Sequence, residues 1–320
     1  MEPTWLSEPT VDALRDALRR VAPGLAEGTI VPRGLEPNDD PQWCAASAVV
    51  DGRYVVKFAW ARKAALRVWH QARVLVALRT AVPGLPVPEV VTAARDPAIL
   101  VLRWVPAATF FEVRHRIGAA ERDGVARDLA GVLAELHGPG VPGALVQEIG
   151  GLPEPEPQAT TDAIRARFGP LVRAGQWERV LSWCDRADAV LAVPGRRVVV
   201  HGDLHGGNHL WDRETLRLRQ VIDLETVGAG EPEFDLRYLP WDCGVGLFSA
   251  VVAHYARLTG TALDVDRIMA WHVRTFLGDA LWHAEAGIPL PDGRTPVQWV
   301  DDLSGRFAAL ADVAGAPRRW

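Results

Sequence analysis

The sequence is poor in cysteine and in lysine. Three cysteines, Cys44, Cys184 and Cys243, are spread over 320 residues, and neither their odd number nor their spacing suits a disulfide framework or a CxxC zinc site. This usage is typical of a reducing compartment, so we expect a cytoplasmic protein. Of the 35 basic residues only Lys57 and Lys63 are lysines, and any chemistry that requires a lysine therefore has two candidates.

The sequence also lacks an excess of basic charge and any long apolar run. Acidic residues outnumber basic ones by 40 to 35, so the composition favours neither nucleic acid nor a membrane surface as partner. No apolar stretch approaches the roughly 20 residues that cross a bilayer. Residues 1–20 are acidic and amphipathic, unlike a signal peptide. With 48% hydrophobic residues, the composition is that of a globular protein.

Hydrophobic patterning predicts a β-rich first third and a helical remainder. Apolar runs at 45–50 and 54–59 flank Asp51-Gly52-Arg53, and Asp-Gly between apolar runs indicates a tight hairpin turn. Further patterns predict a loop at 32–42, strands at 99–105, 198–200 and 218–224, and helices at 11–20, 62–79, 119–137, 161–173 and 177–191. We therefore expect an α+β protein of two lobes, one over residues 1–105 and one over 106–320.

The most informative segment is HGDLHGGN at 201–208, which is followed 15 residues later by Asp223. Asp203 and Asp223 lie near the ends of predicted strands, where side chains can project into a cleft. Phosphoryl transfer needs a base for the acceptor hydroxyl and hard oxygen ligands for Mg²⁺. Two carboxylates and the amide oxygen of Asn208 match those needs, and the glycines of the segment allow the tight backbone turn.

This segment resembles the aminoglycoside phosphotransferase family, which is related to the protein kinases. The resemblance also rests on VIDLE at 221–225 and on GEPEFDL at 230–236. It implies a bilobal protein-kinase-like fold of the α+β class, with a small β-rich N-lobe containing one main helix and a larger helical C-lobe. It further implies Asp203 as catalytic base, Asn208 and Asp223 as magnesium ligands, His201 as the brace of the catalytic loop and Asp235 as a support of the lower lobe. Independently of the resemblance, His205 is expected to support the loop by packing against it.

The family pattern expects a strand lysine that reaches the nucleotide phosphates, and YVVKFA at 54–59 supplies Lys57. A lysine flanked by apolar strand residues requires an anionic partner if it is buried. Kinase-like enzymes supply a glutamate from the next helix, but no acidic residue occurs between residues 58 and 88 here, and Gln71 aligns best. The nearest acids in sequence are Glu36, Asp39 and Asp40.

Two further nucleotide contacts are expected. The strand ILVLRWV at 99–105 resembles the family's hinge, so the backbone around Leu102 and Trp104 is expected to bind the nucleotide base. The phosphate-covering loop at 34–46 lacks the glycine-rich repeat of protein kinases. We expect backbone amides near residues 41–45 to contact the phosphates.

The residues after the metal motif offer carboxylates and aromatic rings for a cationic acceptor. Acidic clefts bind cationic antibiotics, so an aminoglycoside, macrolide or cationic peptide is the first hypothesis, with resistance as the outcome. The implied cofactors are ATP or GTP and Mg²⁺, and the enzyme is expected to be a monomer or homodimer. The acceptor-site candidates are Glu225, Glu231, Glu233, Asp242, Asp279 and Glu285, together with Trp241, Trp271 and Trp282.

Three alternatives stay open. The same fold serves metabolite kinases that act on choline, homoserine or a sugar. The replacement of the helix acid by Gln71 suggests a nucleotide-binding pseudokinase, although the intact Asp203 argues against it. His201, Asp203 and His205 form an HxDxH pattern that could bind a metal, and GDLHG at 202–206 with GNH at 207–209 resembles fragments of metallophosphoesterase motifs. A dinuclear site, however, needs ligands from several separate segments.

Overall fold

The computed structural model describes residues 2–35, 40–155, 159–311 and 320. Its strands are β1 (Ile30–Arg33), β2 (Ala45–Val50), β3 (Tyr54–Ala59), β4 (Val90–Arg95), β5 (Ala98–Arg103), β6 (Ala108–Thr109), β7 (Val198–Val200), β8 (His209–Trp211), β9 (Leu218–Val221) and β10 (Gly228–Gly230). Its helices are α1 (Val11–Val21), α2 (Pro23–Ala26), α3 (Arg62–Ala81), α4 (Phe110–Val113), α5 (Ala119–Leu136), α6 (Val141–Ile149), α7 (Thr161–Arg167), α8 (Ala174–Leu191), α9 (Pro232–Asp235), α10 (Leu239–Asp242), α11 (Gly244–Thr259), α12 (Val265–Ala286) and α13 (Pro296–Ala311).

The chain folds as two compact units whose segments alternate along the sequence. The first unit contains Met1–Phe110, Pro139–Leu152 and Asn208–Val227. The second unit contains Phe111–Gly138, Pro153–Gly207 and Gly228–Trp320. The division into lobes between residues 105 and 106 stays a prediction. It placed Pro139–Leu152 and Asn208–Val227, which belong to the first unit, in the second lobe.

The main sheet of the first unit is antiparallel, with the strand order β1-β2-β3-β5-β4. The predicted β2–β3 hairpin is confirmed at both of its strands. Asp51 (φ 53°) and Gly52 (φ 61°) both adopt the left-handed conformation at its turn, which glycine accepts freely and aspartate tolerates. The register pairs Lys57 with Ser47 of β2 and Leu100 of β5.

The two faces of this sheet have different neighbours. Val56 and Phe58 of β3 are buried in one hydrophobic cluster with Leu14 and Leu18 of α1. Because successive side chains of a strand point to opposite faces, Lys57 projects from the other face. Helix α3 packs against β3 and β5. The ammonium group of Lys57 therefore lies on the α3 side of the sheet.

The sequence pattern of α3 predicts a buried apolar stripe of Leu66, Trp69, Val74 and Leu78, and the buried face of the helix differs from it. Leu66 was expected on that stripe, but it is 38% exposed. The buried positions are mostly small: Ala64, Ala65, Val68, Gln71, Ala72, Val74, Leu75, Ala77 and Leu78. The stripe prediction was wrong at Leu66 because alanine contributes little to a hydrophobic pattern yet allows a helix to approach a sheet closely.

The second unit is mainly helical, as predicted for this part of the chain. Helix α11 packs against α5, and α12 packs against α8. The predicted helix at 161–173 ends early, since a 3₁₀ turn at Gly169–Leu171 separates α7 from α8. Pro170 within that turn has no N–H to continue an α-helix. Strand β7 pairs with β10 and leads directly to His201.

No single helix within the described ranges is long and apolar enough to cross a membrane. Helices α5 and α6 meet the length and composition criteria only as a bent pair.

Candidate functional site

Each unit contains a cavity that is lined by residues predicted from the sequence motifs. The cavity of the first unit, which we call the lysine cavity, has a volume of about 280 Å³. Lys57 and Asp223 both line it, as does the start of β2. The lining residues are Arg33, Trp43, Ala45, Ala46, Ser47, Lys57, Ala64, Arg67, Val68, Asp223 and Glu225.

Lys57 and Asp223 form an ion pair in this cavity. Lys57 Nζ donates to Asp223 Oδ1 at 2.7 Å, and the two side chains are 22% and 36% exposed. Asp223 has left-handed backbone angles (φ 65°, ψ 54°) immediately before a 3₁₀ turn at Leu224–Thr226. The anionic partner of Lys57 is therefore Asp223, whereas Glu36 and Asp39 lie outside the described residues.

The helix beside Lys57 carries a cation instead of the family's acid. Gln71 is 1% exposed, and its Oε1 accepts no hydrogen bond from the described residues. Arg67, one turn earlier on α3, forms an ion pair with Glu225. Burial raises the pKa of Glu225, and the charge of Asp223 adds to this effect, while Lys57 and Arg67 lower it.

The β8–β9 hairpin brings Asn208 to the same end as Asp223. His209 pairs with Val221 in the register, and Ile222 N–H donates to the Asn208 carbonyl at 2.9 Å. The Asn208 side-chain amide and the Asp223 carboxylate therefore both lie beside the backbone hydrogen bond that joins Asn208 and Ile222. Hard oxygen donors of this kind suit Mg²⁺, which uses few protein ligands together with water and phosphate oxygens. These two residues thus fit the expected ion.

Leu102 and Trp104 lie where the sequence placed the hinge. Leu102 belongs to β5 between its neighbours β3 and β4, and Trp104 follows the strand. The Trp104 N–H donates to the Arg53 carbonyl at 3.0 Å. A contact from either residue to a nucleotide base stays a prediction.

In the second unit, a buried carboxylate organises the motif loop. Asp235 is fully buried and accepts the N–H groups of His201 and Gly202, each at 2.8 Å. His137 Nε2 lies 3.2 Å from the same carboxylate. Burial acts to raise the pKa of Asp235, but the hydrogen bonds and charges around it prevail and hold that pKa below its usual value.

Asp203 is oriented by the residues that follow Asp235. Tyr238 Oη donates to Asp203 Oδ1 at 3.0 Å, and the Arg237 guanidinium lies 4.0 Å from the same oxygen. Arg237 is buried and also donates to the Gly202 carbonyl at 2.7 Å. His201 Nδ1 accepts the Asp203 N–H at 3.2 Å. The half-buried carboxylate is therefore held by the loop and by the segment after α9.

The far part of the loop requires glycine for close packing. A Cβ atom on Gly206 would lie 2.7 Å from a ring carbon of Phe111. The Gly206 N–H donates to Asp242 Oδ2 at 2.7 Å, and the His205 ring stacks on Phe111. His205 thus packs against the loop surroundings, and its Nδ1 accepts the Gly207 N–H at 3.0 Å.

Asp203 lines a cavity of about 850 Å³, which we call the acidic cavity. One wall is aromatic, with the rings of Trp241, Phe276 and Trp299 between 4.3 and 4.8 Å apart. The lining residues are Phe111, Arg114, Asp203, His205, Tyr238, Trp241, Asp242, His272, Thr275, Phe276, Asp279, Pro291, Asp292, Arg294, Trp299 and Asp302.

The acidic cavity has five aspartates against two arginines in its lining. Asp292 and Asp302 are paired with Arg294 at 2.9 and 3.6 Å, and the other three lining carboxylates, Asp203, Asp242 and Asp279, outnumber the remaining lining arginine, Arg114. Burial, with a smaller contribution from the charge of Asp203, raises the pKa of Asp242 to about 7 and that of Asp279 to about 7. Carboxylates in such a state are typical of functional sites.

Several acceptor-site candidates lie elsewhere. Glu225 lines the lysine cavity, and Trp282 is 59% exposed. The remaining four form structural contacts: Glu231 with Arg267 and Trp271, Glu233 with the Asp264 N–H, and Glu285 with Arg167. Of the candidates, Asp242, Asp279 and Trp241 share the acidic cavity with Asp203.

Sequence reasoning missed Arg237 and Tyr238, which orient the motif loop. Both directly follow the GEPEFDL motif, and this adjacency was a usable signal. It also missed His272, whose Nδ1 lies 2.6 Å from the Arg237 carbonyl and whose Nε2 lies 2.7 Å from Arg306 Nη1. Burial lowers the pKa of His272 to about 3, so it is neutral. No sequence pattern marks this residue.

Comparison with known proteins gives concordant matches. Residues 45–271 match the phosphotransferase enzyme family. The chain is 30% identical over 252 residues to viomycin phosphotransferase of Streptomyces vinaceus, which covers 76% of this chain and 83% of the relative.

Among solved structures, the GDP complex of aminoglycoside 2'-phosphotransferase-IIIa is similar, with a TM-score of 0.68, 15% identity, and coverage of 93% of this chain and 97% of that chain. A macrolide 2'-phosphotransferase type I is similar with a TM-score of 0.62, 21% identity, and coverage of 95% and 98%. These likenesses show the fold, and the predicted protein-kinase-like fold is confirmed.

Proposed function

The chain belongs to the phosphotransferase enzyme family, and on that premise we propose that it transfers the γ-phosphate of a nucleoside triphosphate to a hydroxyl group of a cationic antibiotic. The observation that carries this proposal is the position of Asp203, whose oriented carboxylate opens into an acidic cavity of about 850 Å³. That volume suits a drug-sized ligand. The curated relative is named for viomycin, so viomycin is the first acceptor to test.

The lysine cavity supports a role in phosphate binding. Lys57 presents its ammonium group there, and Arg33 and Arg67 add two further cations to the lining. Charge neutralisation and positioning account for most of the catalysis in phosphoryl transfer. We assign Lys57 to the phosphates of the nucleotide, where they would replace Asp223 as its anionic partner.

Asn208 and Asp223 would hold Mg²⁺, since both present hard oxygens at one end of the β8–β9 hairpin. Bound there, the ion would neutralise charge on the phosphate oxygens. Release of Lys57 by Asp223 would free the carboxylate for this role. Asp223 would therefore pair with Lys57 before the nucleotide binds and hold Mg²⁺ afterwards.

Asp203 would act as the base. Its Oδ1 accepts a hydrogen bond from Tyr238, and we assign its Oδ2, which lies 3.7 Å from His205 Nε2, to the acceptor hydroxyl. The hydroxyl proton would pass to this carboxylate as the hydroxyl oxygen bonds to the γ-phosphorus and the bond to the β-phosphate oxygen breaks. A positioned base contributes about 10²- to 10⁴-fold to the rate.

The acidic cavity supports a cationic acceptor. Asp279 lines it without a hydrogen bond or ion pair to any described residue, and a carboxylate in a partly buried site without a partner is costly. An ammonium or guanidinium group of the acceptor would provide that partner. The aromatic wall at Trp241, Phe276 and Trp299 offers apolar area for the rest of the molecule.

The direct test is nucleoside diphosphate release by the purified protein with Mg²⁺, ATP or GTP, and a panel of acceptors. The panel contains viomycin, kanamycin, streptomycin and a macrolide, with choline, homoserine and a hexose as the metabolite arm. We expect turnover with at least one antibiotic, and we expect Asp203→Asn to lower kcat by about 10²- to 10⁴-fold. Mass spectrometry of the product should show one added phosphoryl group.

Other results would reject the proposal in favour of a specific alternative. Turnover confined to choline, homoserine or the hexose indicates a metabolite kinase. Nucleotide binding without turnover on any acceptor indicates a pseudokinase, and release of phosphate from phosphomonoesters without nucleotide indicates a phosphoesterase.

A further inference from the structure

The helix beside Lys57 carries a cation where the family pattern expects a carboxylate. The expected arrangement pairs the strand lysine with an acid on the next helix, but residues 59–87 contain no acid at all. That helix, α3, instead places Arg67 in the lining of the lysine cavity. The carboxylate comes from Glu225, which is 158 residues away in sequence.

Two cations hold one short segment, Asp223-Leu224-Glu225. Lys57 of β3 binds the Asp223 carboxylate at 2.7 Å, and Arg67 of α3 binds the Glu225 carboxylate. Leu224 between them is 1% exposed, and Asp223 is in the left-handed conformation. The segment that contains Asp223 is therefore held from both sides, by a strand through Lys57 and by a helix through Arg67.

Arg67 also contacts Trp43. Its guanidinium lies 4.6 Å from the centre of the Trp43 ring, at the end of the 3₁₀ turn Pro41–Trp43 that leads into β2. A guanidinium over a tryptophan face gains a cation–π attraction. The Arg67 and Glu225 side chains are only 27% and 24% exposed, so water screens this pair less than an ordinary surface pair.

We propose that the Arg67–Glu225 ion pair is the positioning device that replaces the missing lysine–helix acid pair. It ties α3 and the turn before β2 to the segment that contains Asp223. Arg67 and Glu225 are positioning residues, because they act through Asp223 and Lys57. This inference rests on the proposed function, since it assigns Asp223 to the magnesium ion of the nucleotide.

The test is equilibrium binding of ADP by titration calorimetry, with Mg²⁺ and with EDTA. The variants are Arg67→Met, Glu225→Gln and their double substitution. Removing a residue that orients a metal ligand typically weakens affinity by about 10- to 100-fold, and we expect that loss for either single variant with Mg²⁺. With EDTA we expect a change below about twofold, and the double variant should be no weaker than the worse single variant.

The same helix offers a matched control. Arg73 of α3 lies 3.6 Å from Glu148, and this pair is more exposed, at 34% and 44%. Arg73→Met and Glu148→Gln should leave ADP binding within about twofold, because such exposed pairs contribute little. Arg67→Lys keeps the charge and should retain affinity within about tenfold of the wild type, which separates positioning from misfolding.

Three results would overturn the inference. One is additive losses in the double variant, and another is wild-type binding by either single variant. The third is a loss for Arg67→Met that persists in EDTA without a matching loss for Glu225→Gln, which would make Arg67 a direct phosphate ligand. If the expected binding pattern holds but no acceptor is phosphorylated, the proposed function fails while the ion pair's role stands. A wild type that binds no ADP refutes both.

Discussion

The two cavities contrast in size and in charge balance. In the lysine cavity, of about 280 Å³, each carboxylate has a cationic partner: Asp223 binds Lys57 and Glu225 binds Arg67. The acidic cavity is about three times larger, at 850 Å³, and carboxylates exceed cations in its lining. In the proposed function the nucleotide site balances its own charges, whereas the excess of carboxylates in the acidic cavity would favour a cationic acceptor.

The two regions also differ in what supports them. The lysine cavity is built on a regular sheet and one helix, whereas Asp203 depends on a buried polar network around Asp235. The contrast predicts that substitutions in the second region affect folding as well as chemistry, and that substitutions at the lysine affect chemistry alone. Four experiments test it, in order of decreasing effect.

The largest effect is expected for Asp235→Ala. This change leaves the buried N–H groups of His201 and Gly202 without their acceptor, and removing one partner from a buried charge network costs about 3–5 kcal/mol. Chemical denaturation should show that loss in the free energy of unfolding. Asp185→Ala is the control. The Asp185 side chain pairs with Arg165 and is 76% exposed, and exposed ion pairs contribute about 0–1 kcal/mol. A loss below 1 kcal/mol for Asp235→Ala would contradict the network's importance.

Lys57→Met should lower kcat/KM by about 10²- to 10³-fold, the usual effect of removing one electrostatic stabiliser from an active site. Methionine keeps the unbranched apolar stem and removes the charge. Lys63→Met is the matched control, because Lys63 is the other lysine in the sequence and is exposed on α3. Steady-state kinetics at saturating acceptor would measure both, and equal kinetics for the two variants would exclude a phosphate role for Lys57.

Asp279→Asn should raise the KM of a cationic acceptor by about 10- to 100-fold, since a hydrogen bond to a charged group contributes about 1.5–3 kcal/mol. The KM of the nucleotide serves as the internal control and should change less than about twofold, because its predicted site lies in the first unit. An unchanged acceptor KM would assign the cation to another carboxylate.

The smallest effect is a pH dependence. Because burial raises the pKa of Asp242 and Asp279 to about 7, both are largely neutral at pH 6 and ionised at pH 8. A permanently cationic acceptor would bind ionised Asp279, so kcat/KM should rise by about tenfold between those pH values. Asp279→Asn should flatten the profile, and a wild-type profile that falls with rising pH would contradict this assignment.

Much of the local structure followed from sequence. The β2–β3 hairpin was predicted at both strands, because Asp51-Gly52 carries its turn geometry within two residues. The family, the fold and the enzyme class, a phosphotransferase, are confirmed by the matches. Lys57 and Asp223 line one cavity, and their predicted roles in phosphate and magnesium binding stay predictions.

Other elements could not be read locally. β1 and β4 were missed, since Pro32 lies within β1 and a register shift between Val90 and Thr92 interrupts β4. Both strands owe their pairing to neighbours rather than to their own pattern. The exposed Leu66 and buried Gln71 of α3 likewise reflect how that helix docks, which its own periodicity does not contain.

Short-range information predicted the HGDLHGGN motif, the Asp51-Gly52 turn and the strand position of Lys57, because each depends on residues close together in the chain, and several such motifs together indicated the family. Only the tertiary structure decided that Asp223 is the partner of Lys57, that Glu225 pairs with Arg67, and that Asp242 and Asp279 line a cavity with Asp203. Ion pairs and cavities arise where distant segments pack, and their energies depend on burial and distance, quantities that no local pattern encodes.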